Sequence, residues 1–98
     1  MSFRLAFTPV AESQIQETYD YYFDEVNENV AEMFFDDLQE AYNALSFNPF
    51  YQVRSKNYRA KPLRKFPYLL FFEIIEEKRI VKVLALFHTS QNPVKWPK

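Results

Sequence analysis

Neither glycine nor cysteine occurs anywhere in this chain. Without glycine there is no Gly-rich phosphate loop and no dinucleotide fingerprint. Turns must then rest on Asn, Asp, Pro and Ser, which reach turn geometry by other means. Without cysteine neither a disulfide nor a thiolate metal site can hold the fold, a composition compatible with a reducing cytoplasm. A single histidine is left with only scattered carboxylates around it, a poor basis for a metal site, and none is expected. No apolar run approaches the ~18 residues of a membrane span, and Met1 to Val10 lack the apolar centre of a signal peptide. No membrane role and no cofactor are expected.

What the chain has is aromatic and charged. Its 98 residues, 48% hydrophobic and 19% aromatic, suffice for one domain with one core. The formal net charge of −1 hides a polarised distribution. Ten acidic and no basic side chains lie between residues 12 and 40: Glu12, Glu17, Asp20, Asp24, Glu25, Glu28, Glu32, Asp36, Asp37 and Glu40. Six basic and no acidic ones lie between residues 54 and 65: Arg54, Lys56, Arg59, Lys61, Arg64 and Lys65. A concentrated cationic surface attracts nucleic acid or an acidic protein.

Hydrophobic periodicity places these runs on elements. Phe3, Leu5 and Phe7 alternate with Ser2, Arg4 and Ala6, which predicts a short strand. Thr8-Pro9 reads as a helix N-cap followed by proline at the first helical position. Ala11, Ile15, Tyr19, Tyr22 and Val26 recur at helical spacing, so a first helix runs to about Glu25. Asn27-Glu28-Asn29 interrupts it, and Asn29 with Glu32 resembles a capping box. The second helix carries the stripe Val30, Met33, Phe34, Leu38, Ala41 and Leu45 and ends near Ser46, before Asn48-Pro49. The short break makes the pair an antiparallel hairpin.

Phe50 to Ser55 reads equally as loop or strand. Tyr58 to Leu63 predicts a strand with Arg59, Lys61 and Leu63 on one side, and Arg64 to Pro67 its turn. Tyr68 to Ile75 predicts a central strand. After a polar turn at Glu76-Glu77-Lys78, Arg79 to Phe87 predicts the last strand, with Val81, Val83, Ala85 and Phe87 on one face and Ile80, Lys82, Leu84, Leu86 and His88 on the other. The order implies an α+β fold: an N-terminal strand, a helical hairpin, then a three-stranded meander, forming one twisted antiparallel sheet.

This layout, with several of its residues, resembles the RelE/ParE superfamily of type II toxin–antitoxin toxins. The matching features are the strand entering a helix at Phe7-Thr8-Pro9-Val10-Ala11, the helix pattern Ile15 to Tyr22, and the helix end Leu45…Asn48-Pro49. They continue in Tyr58-Arg59…Phe66-Pro67-Tyr68-Leu69-Leu70-Phe71 and in Phe87-His88-Thr89-Ser90…Asn92-Pro93…Trp96. The resemblance implies one toxin domain over residues 1–98, a cytoplasmic site of action, and neutralisation by a cognate antitoxin. It implies either inhibition of DNA gyrase in the ParE manner or cleavage of messenger RNA on the ribosome in the RelE manner. A non-toxic partner-binding module of the same fold is the third reading.

Cleavage by 2′-hydroxyl attack needs a base, an acid and cations on the phosphate. Arg59, Arg64 and His88 are the candidates for it. Arg54, Lys56, Arg59, Lys61, Arg64, Lys65 and Trp96 are the candidates for partner or nucleic-acid binding, antitoxin first, with Tyr51 and Tyr58 available to stack. Many ribonuclease members carry an Arg where this chain has Leu69, and some a Tyr where it has Thr89. Both replacements favour target inhibition over RNA chemistry. The acidic run reads as the polar face of the hairpin, with Asp36, Asp37 and Glu40 lacking a basic partner at i±4.

Overall fold

The computed structural model describes residues 2–50, 53–55 and 58–90. Strand β1 (Arg4–Phe7) leads into α1 (Pro9–Glu25) and α2 (Glu28–Phe47), followed by β2 (Val53–Ser55), β3 (Tyr58–Pro62), β4 (Tyr68–Ile75) and β5 (Ile80–His88). They form a five-stranded sheet in the order β1-β5-β4-β3-β2 with the helices on one face, an α+β architecture. The sheet is mixed rather than wholly antiparallel, because β1 runs parallel to β5 while the other pairs are antiparallel. A parallel neighbour needs a crossover, and the hairpin α1–α2 belongs to it.

Thr8 starts α1 as expected. Its backbone is extended, its Oγ1 accepts from the Ala11 amide at 3.0 Å, and Pro9 follows. The cap of α2 is Asn27, not Asn29: its Oδ1 accepts from the Val30 amide at 2.8 Å. Glu32 is thereby released from capping and accepts from the Tyr19 hydroxyl at 2.6 Å. That bond raises the Tyr19 pKa above its ordinary value, with partial desolvation and the charges of Glu32, Glu28 and Asp20 adding to it. The expected stripes are otherwise right except at their margins. Phe34, Leu38, Ala41 and Leu45 are buried, whereas Val26 and Met33 are exposed and Asp37 is buried instead.

One core lies between the hairpin and the sheet, built from Phe34, Leu38 and Leu45 against Leu70, Phe72, Val81 and Val83. Each large side chain so buried contributes about 2–3 kcal/mol. A second cluster occupies the opposite face of the sheet: Tyr58, Ala60, Leu69, Phe71 and Ala85. Residues 69–72 of β4 are therefore buried on both faces, which explains their unbroken apolar run.

The last strand departs from simple alternation. Phe71 pairs with Ala85 but Phe72 with Val83, so Leu84 is an extra residue in β5. This bulge moves Ala85 and Phe87 to the face away from the helices, with Leu84, and brings Leu86 to the helix side with Val81 and Val83. It is held from α1: the Thr8 amide donates to the Val83 carbonyl at 3.0 Å, the Thr8 hydroxyl to the Leu84 carbonyl at 2.9 Å, and the Leu86 amide to Gln14 Oε1 at 2.8 Å. The β4–β5 connection, a 3-10 turn over Glu76–Lys78, ends in a left-handed Arg79 with φ 52°. Glycine would adopt this conformation freely; for a residue with a Cβ it costs roughly 1–2 kcal/mol. The Arg79 guanidinium lies 4.2 Å over the Phe3 ring, a contact that offsets part of that cost.

Candidate functional site

The basic run does not form a free-standing surface. Arg59 and Lys61 pair across to Phe72 and Leu70, so both project from the helix side of β3. The Arg59 guanidinium sits 5.7 Å from the Phe50 ring. Lys61 and Arg64 line a cavity of about 150 Å³ together with Asp37, Glu40 and Ala44 of α2. Arg64 pairs with Glu40 at 3.1 Å, and Asp37 Oδ2 accepts from the amides of Lys65 and Phe66 at 2.9 Å each. The partners that Asp37 and Glu40 lack along their helix thus arrive from the β3–β4 loop. Asp37 is buried, with Oδ1 unpartnered among the described residues. Lys65 is exposed beside it. Tyr58 is buried with its ring 5.5 Å from Phe71, which removes it from any stacking surface. Arg54 lies on β2, while Lys56, Tyr51 and Trp96 fall outside the described residues.

His88 stands elsewhere. Its register partner is Tyr68, and their rings meet edge to face at 5.2 Å. Given two intervening strand spacings and four residues of rise, the Cα atoms of Arg59 and His88 are roughly 15 Å apart. The Ser90 amide donates to His88 Nδ1 at 3.1 Å, and the Ser90 hydroxyl lies 2.7 Å from the same nitrogen. Arg64, Arg59 and His88 are thus directed to α2, to Phe50 and to Tyr68 respectively.

Around His88 the structure assembles a cleft that the sequence did not single out. It encloses about 500 Å³ and is lined by Glu17, Tyr21, Tyr22 and Val26 from the α1 side and by Tyr68 and His88 from the sheet. The Tyr22 and Tyr68 hydroxyls lie 3.3 Å apart. Burial, with the hydrogen bond to Tyr22 second, raises the Tyr68 pKa well above its ordinary value, so this phenol stays neutral. Tyr21 is 57% exposed at the rim, its ring 5.5 Å from Tyr22. The available signal was the pair Tyr21-Tyr22: adjacent side chains on a helix point in different directions, so with Tyr22 on the apolar stripe Tyr21 falls at its margin.

Leu69, at the position where the resemblance places an Arg in ribonuclease members, is buried in the cluster of Tyr58, Ala60, Phe71 and Ala85. Beyond that cluster the same face carries the pair Lys82–Glu73 at 3.9 Å. Among the described residues, no helix is long and apolar enough to cross a membrane.

Comparison with known proteins agrees with this architecture. The fold is similar to the chromosomal ParDE toxin–antitoxin system from P. aeruginosa, at 18% identity over 90% of this chain and 97% of that one, with a TM-score of 0.74. It is similar to a mutant E. coli toxin RelE in the free state, at 18% identity over 96% and 90% of the two chains and a TM-score of 0.65. It is also similar to the toxin–antitoxin complex RelBE2 from Mycobacterium tuberculosis, at 16% identity over 90% and 99% and a TM-score of 0.63. Identities this low speak for the fold alone. No curated protein matches the chain significantly. The model of the family described as ParE toxin of the type II toxin–antitoxin system parDE matches residues 5–93. With the strand–hairpin–meander order and the mixed sheet already in place, that match makes the chain a member of the ParE toxin family of type II toxin–antitoxin systems.

Proposed function

We propose that this toxin inhibits growth by binding a protein target in the ParE manner, DNA gyrase being the first candidate, and that a cognate antitoxin neutralises it in the cytoplasm. The observation that carries this reading is the setting of Leu69. A transition state with charge on a phosphate needs cations aimed at it. The β4 position that would supply one is instead packed between Tyr58, Phe71 and Ala85. The remaining candidates diverge, Arg64 toward Glu40 and His88 toward Tyr68. The acidic hairpin suits contacts with protein better than contacts with a polyanion. An antitoxin partner is supported by the family and by solved relatives described as toxin–antitoxin complexes.

Expression of the chain alone should arrest growth, and co-expression of the neighbouring gene should restore it. Purified protein should inhibit DNA supercoiling by gyrase and leave messenger RNA intact in a translating extract. Cleavage in that extract, abolished by His88→Ala or Arg64→Ala, would establish the ribonuclease reading instead. Harmless expression alone, with the neighbouring product still bound, would make the chain a non-toxic binding module.

A further inference from the structure

The two helices meet the sheet at two polar seams, and one of them is incomplete. At the α2 seam the carboxylates Asp37 and Glu40 share their cavity with two cations of the chain itself, Lys61 and Arg64. At the α1 seam the described residues of the cleft include an acid, Glu17, and no Lys or Arg. Helix α1 adds Glu12, Asp20, Asp24 and Glu25 and carries no basic residue, so nothing on its own element offsets the field there. Among the described residues no carboxylate of α1 forms an ion pair.

The rest of the lining has a definite chemistry. Tyr21, Tyr22 and Tyr68 present three phenol rings, two of them linked through their hydroxyls at 3.3 Å. Aromatic faces attract a cation, the more so when it is partly desolvated. A carboxylate at the same mouth adds charge-assisted hydrogen bonds. Of the cationic side chains, the planar guanidinium satisfies both demands, since it stacks on rings and offers a fork of donors to a carboxylate. A phosphate or a carboxylate ligand would meet Glu17 as a like charge.

We propose that the cleft formed by Glu17, Tyr21, Tyr22, Tyr68 and His88 is a receptor for an arginine side chain of a polypeptide partner, supplying from outside the cation that Lys61 and Arg64 supply at the other seam. Glu17 pairs with the guanidinium, and Tyr21, already at the rim, closes over its face. This assignment concerns the site's ligand chemistry and is independent of which cellular target the toxin inhibits.

The test is a titration of the full-length ¹⁵N-labelled chain with N-acetyl-arginine amide, followed by amide chemical shifts. Parallel arms use N-acetyl-citrulline amide, which keeps the shape without the charge, and spermidine, which has charge without the planar fork. The expected result is saturable shifts centred on Glu17, Tyr21, Tyr68 and His88. The citrulline compound should bind at least fivefold more weakly, and Glu17→Gln and Tyr21→Ala should each lower the arginine affinity about fivefold or more. Both positions are exposed, so the variants should keep the wild-type spectrum elsewhere. Equal binding of the citrulline compound, tighter binding of spermidine, or shifts centred on α2 would each overturn the proposal.

Discussion

The hairpin is fastened to the sheet in two chemically different ways. Helix α2 is tied to the β3–β4 loop by charge: Asp37 holds two backbone amides, and Glu40 pairs with Arg64. Helix α1 is tied to β5 by neutral groups, with Thr8 and Gln14 gripping the backbone on either side of the bulge at Leu84. The consequence is an asymmetry in the electrostatics. The α2 side spends carboxylates and cations on internal structure, whereas the α1 side keeps its carboxylates facing solvent or the cleft. A charge run in a sequence is therefore two different things according to what the tertiary structure sets beside it.

Breaking the charged seam should have the largest effect. Asp37→Ala strands two loop amides at a buried site, and about 2–4 kcal/mol of stability should be lost in urea denaturation. Asp37→Asn keeps an acceptor for both amides and should cost less, about 1 kcal/mol. Equal losses for the two variants would show that the charge, rather than the acceptor, fastens the loop.

The neutral seam should give next. Thr8→Val preserves shape but removes both the cap of Ala11 and the bond to Leu84, at an expected cost of about 1–2 kcal/mol by the same measurement. Amide exchange should quicken at Leu86 and at the start of α1 while the β3–β4 loop stays protected. Loss of protection at Lys65 and Phe66 as well would mean that the two seams are coupled.

Alkaline pH probes the tyrosines Tyr42 of α2 and Tyr68 of β4 with a smaller effect. Burial pushes the Tyr42 pKa up to about 12 from the ordinary 10.0, and Tyr68 is raised as well. A folded-state pKa above the unfolded value favours the neutral form. The associated stability is complete below about pH 10 and is lost as pH climbs toward the folded value. The urea midpoint should hold to pH 9.5 and fall beyond it, and Tyr42→Phe should flatten that fall. A midpoint rising above pH 10 would contradict the assignment.

The smallest effect belongs to the exposed ion pair. Arg64 and Glu40 are 71% and 51% exposed, so Glu40→Gln should shift stability by no more than about 0.5 kcal/mol, and less in high salt. A larger loss would extend the charged seam from Asp37 to the surface.

Local chemistry made much of the fold legible. Thr8-Pro9 announces the start of α1, the stripe Phe34, Leu38, Ala41 and Leu45 announces the buried side of α2, and the apolar run of β4 announces a strand covered on both faces. Other features carried no local signal. Nothing in Val83-Leu84-Ala85 marks a bulge, because all three residues suit a strand equally well; the bulge is imposed by the hydrogen bonds from Thr8 and Gln14. Arg79 in a left-handed turn contradicts the expectation that Asn, Asp, Pro and Ser would take the turns, and only the Phe3 ring beneath its guanidinium makes sense of it. Asp37 looked like one more solvated carboxylate, since its partners lie 28 and 29 residues away.

Periodicity, capping residues and the absence of glycine and cysteine are properties of neighbours along the chain. They were enough for every helix and strand except β2, where Phe50 to Ser55 read equally as loop or strand, for their order and for the α+β class, and the resemblance they support pointed to the toxin family. Which carboxylates are neutralised, which face holds Leu69, and that Glu17, Tyr21, Tyr22, Tyr68 and His88 converge on one cleft are matters of contacts across the chain. Such contacts depend on strand register, and one extra residue in β5 is enough to reverse the sides on which side chains fall.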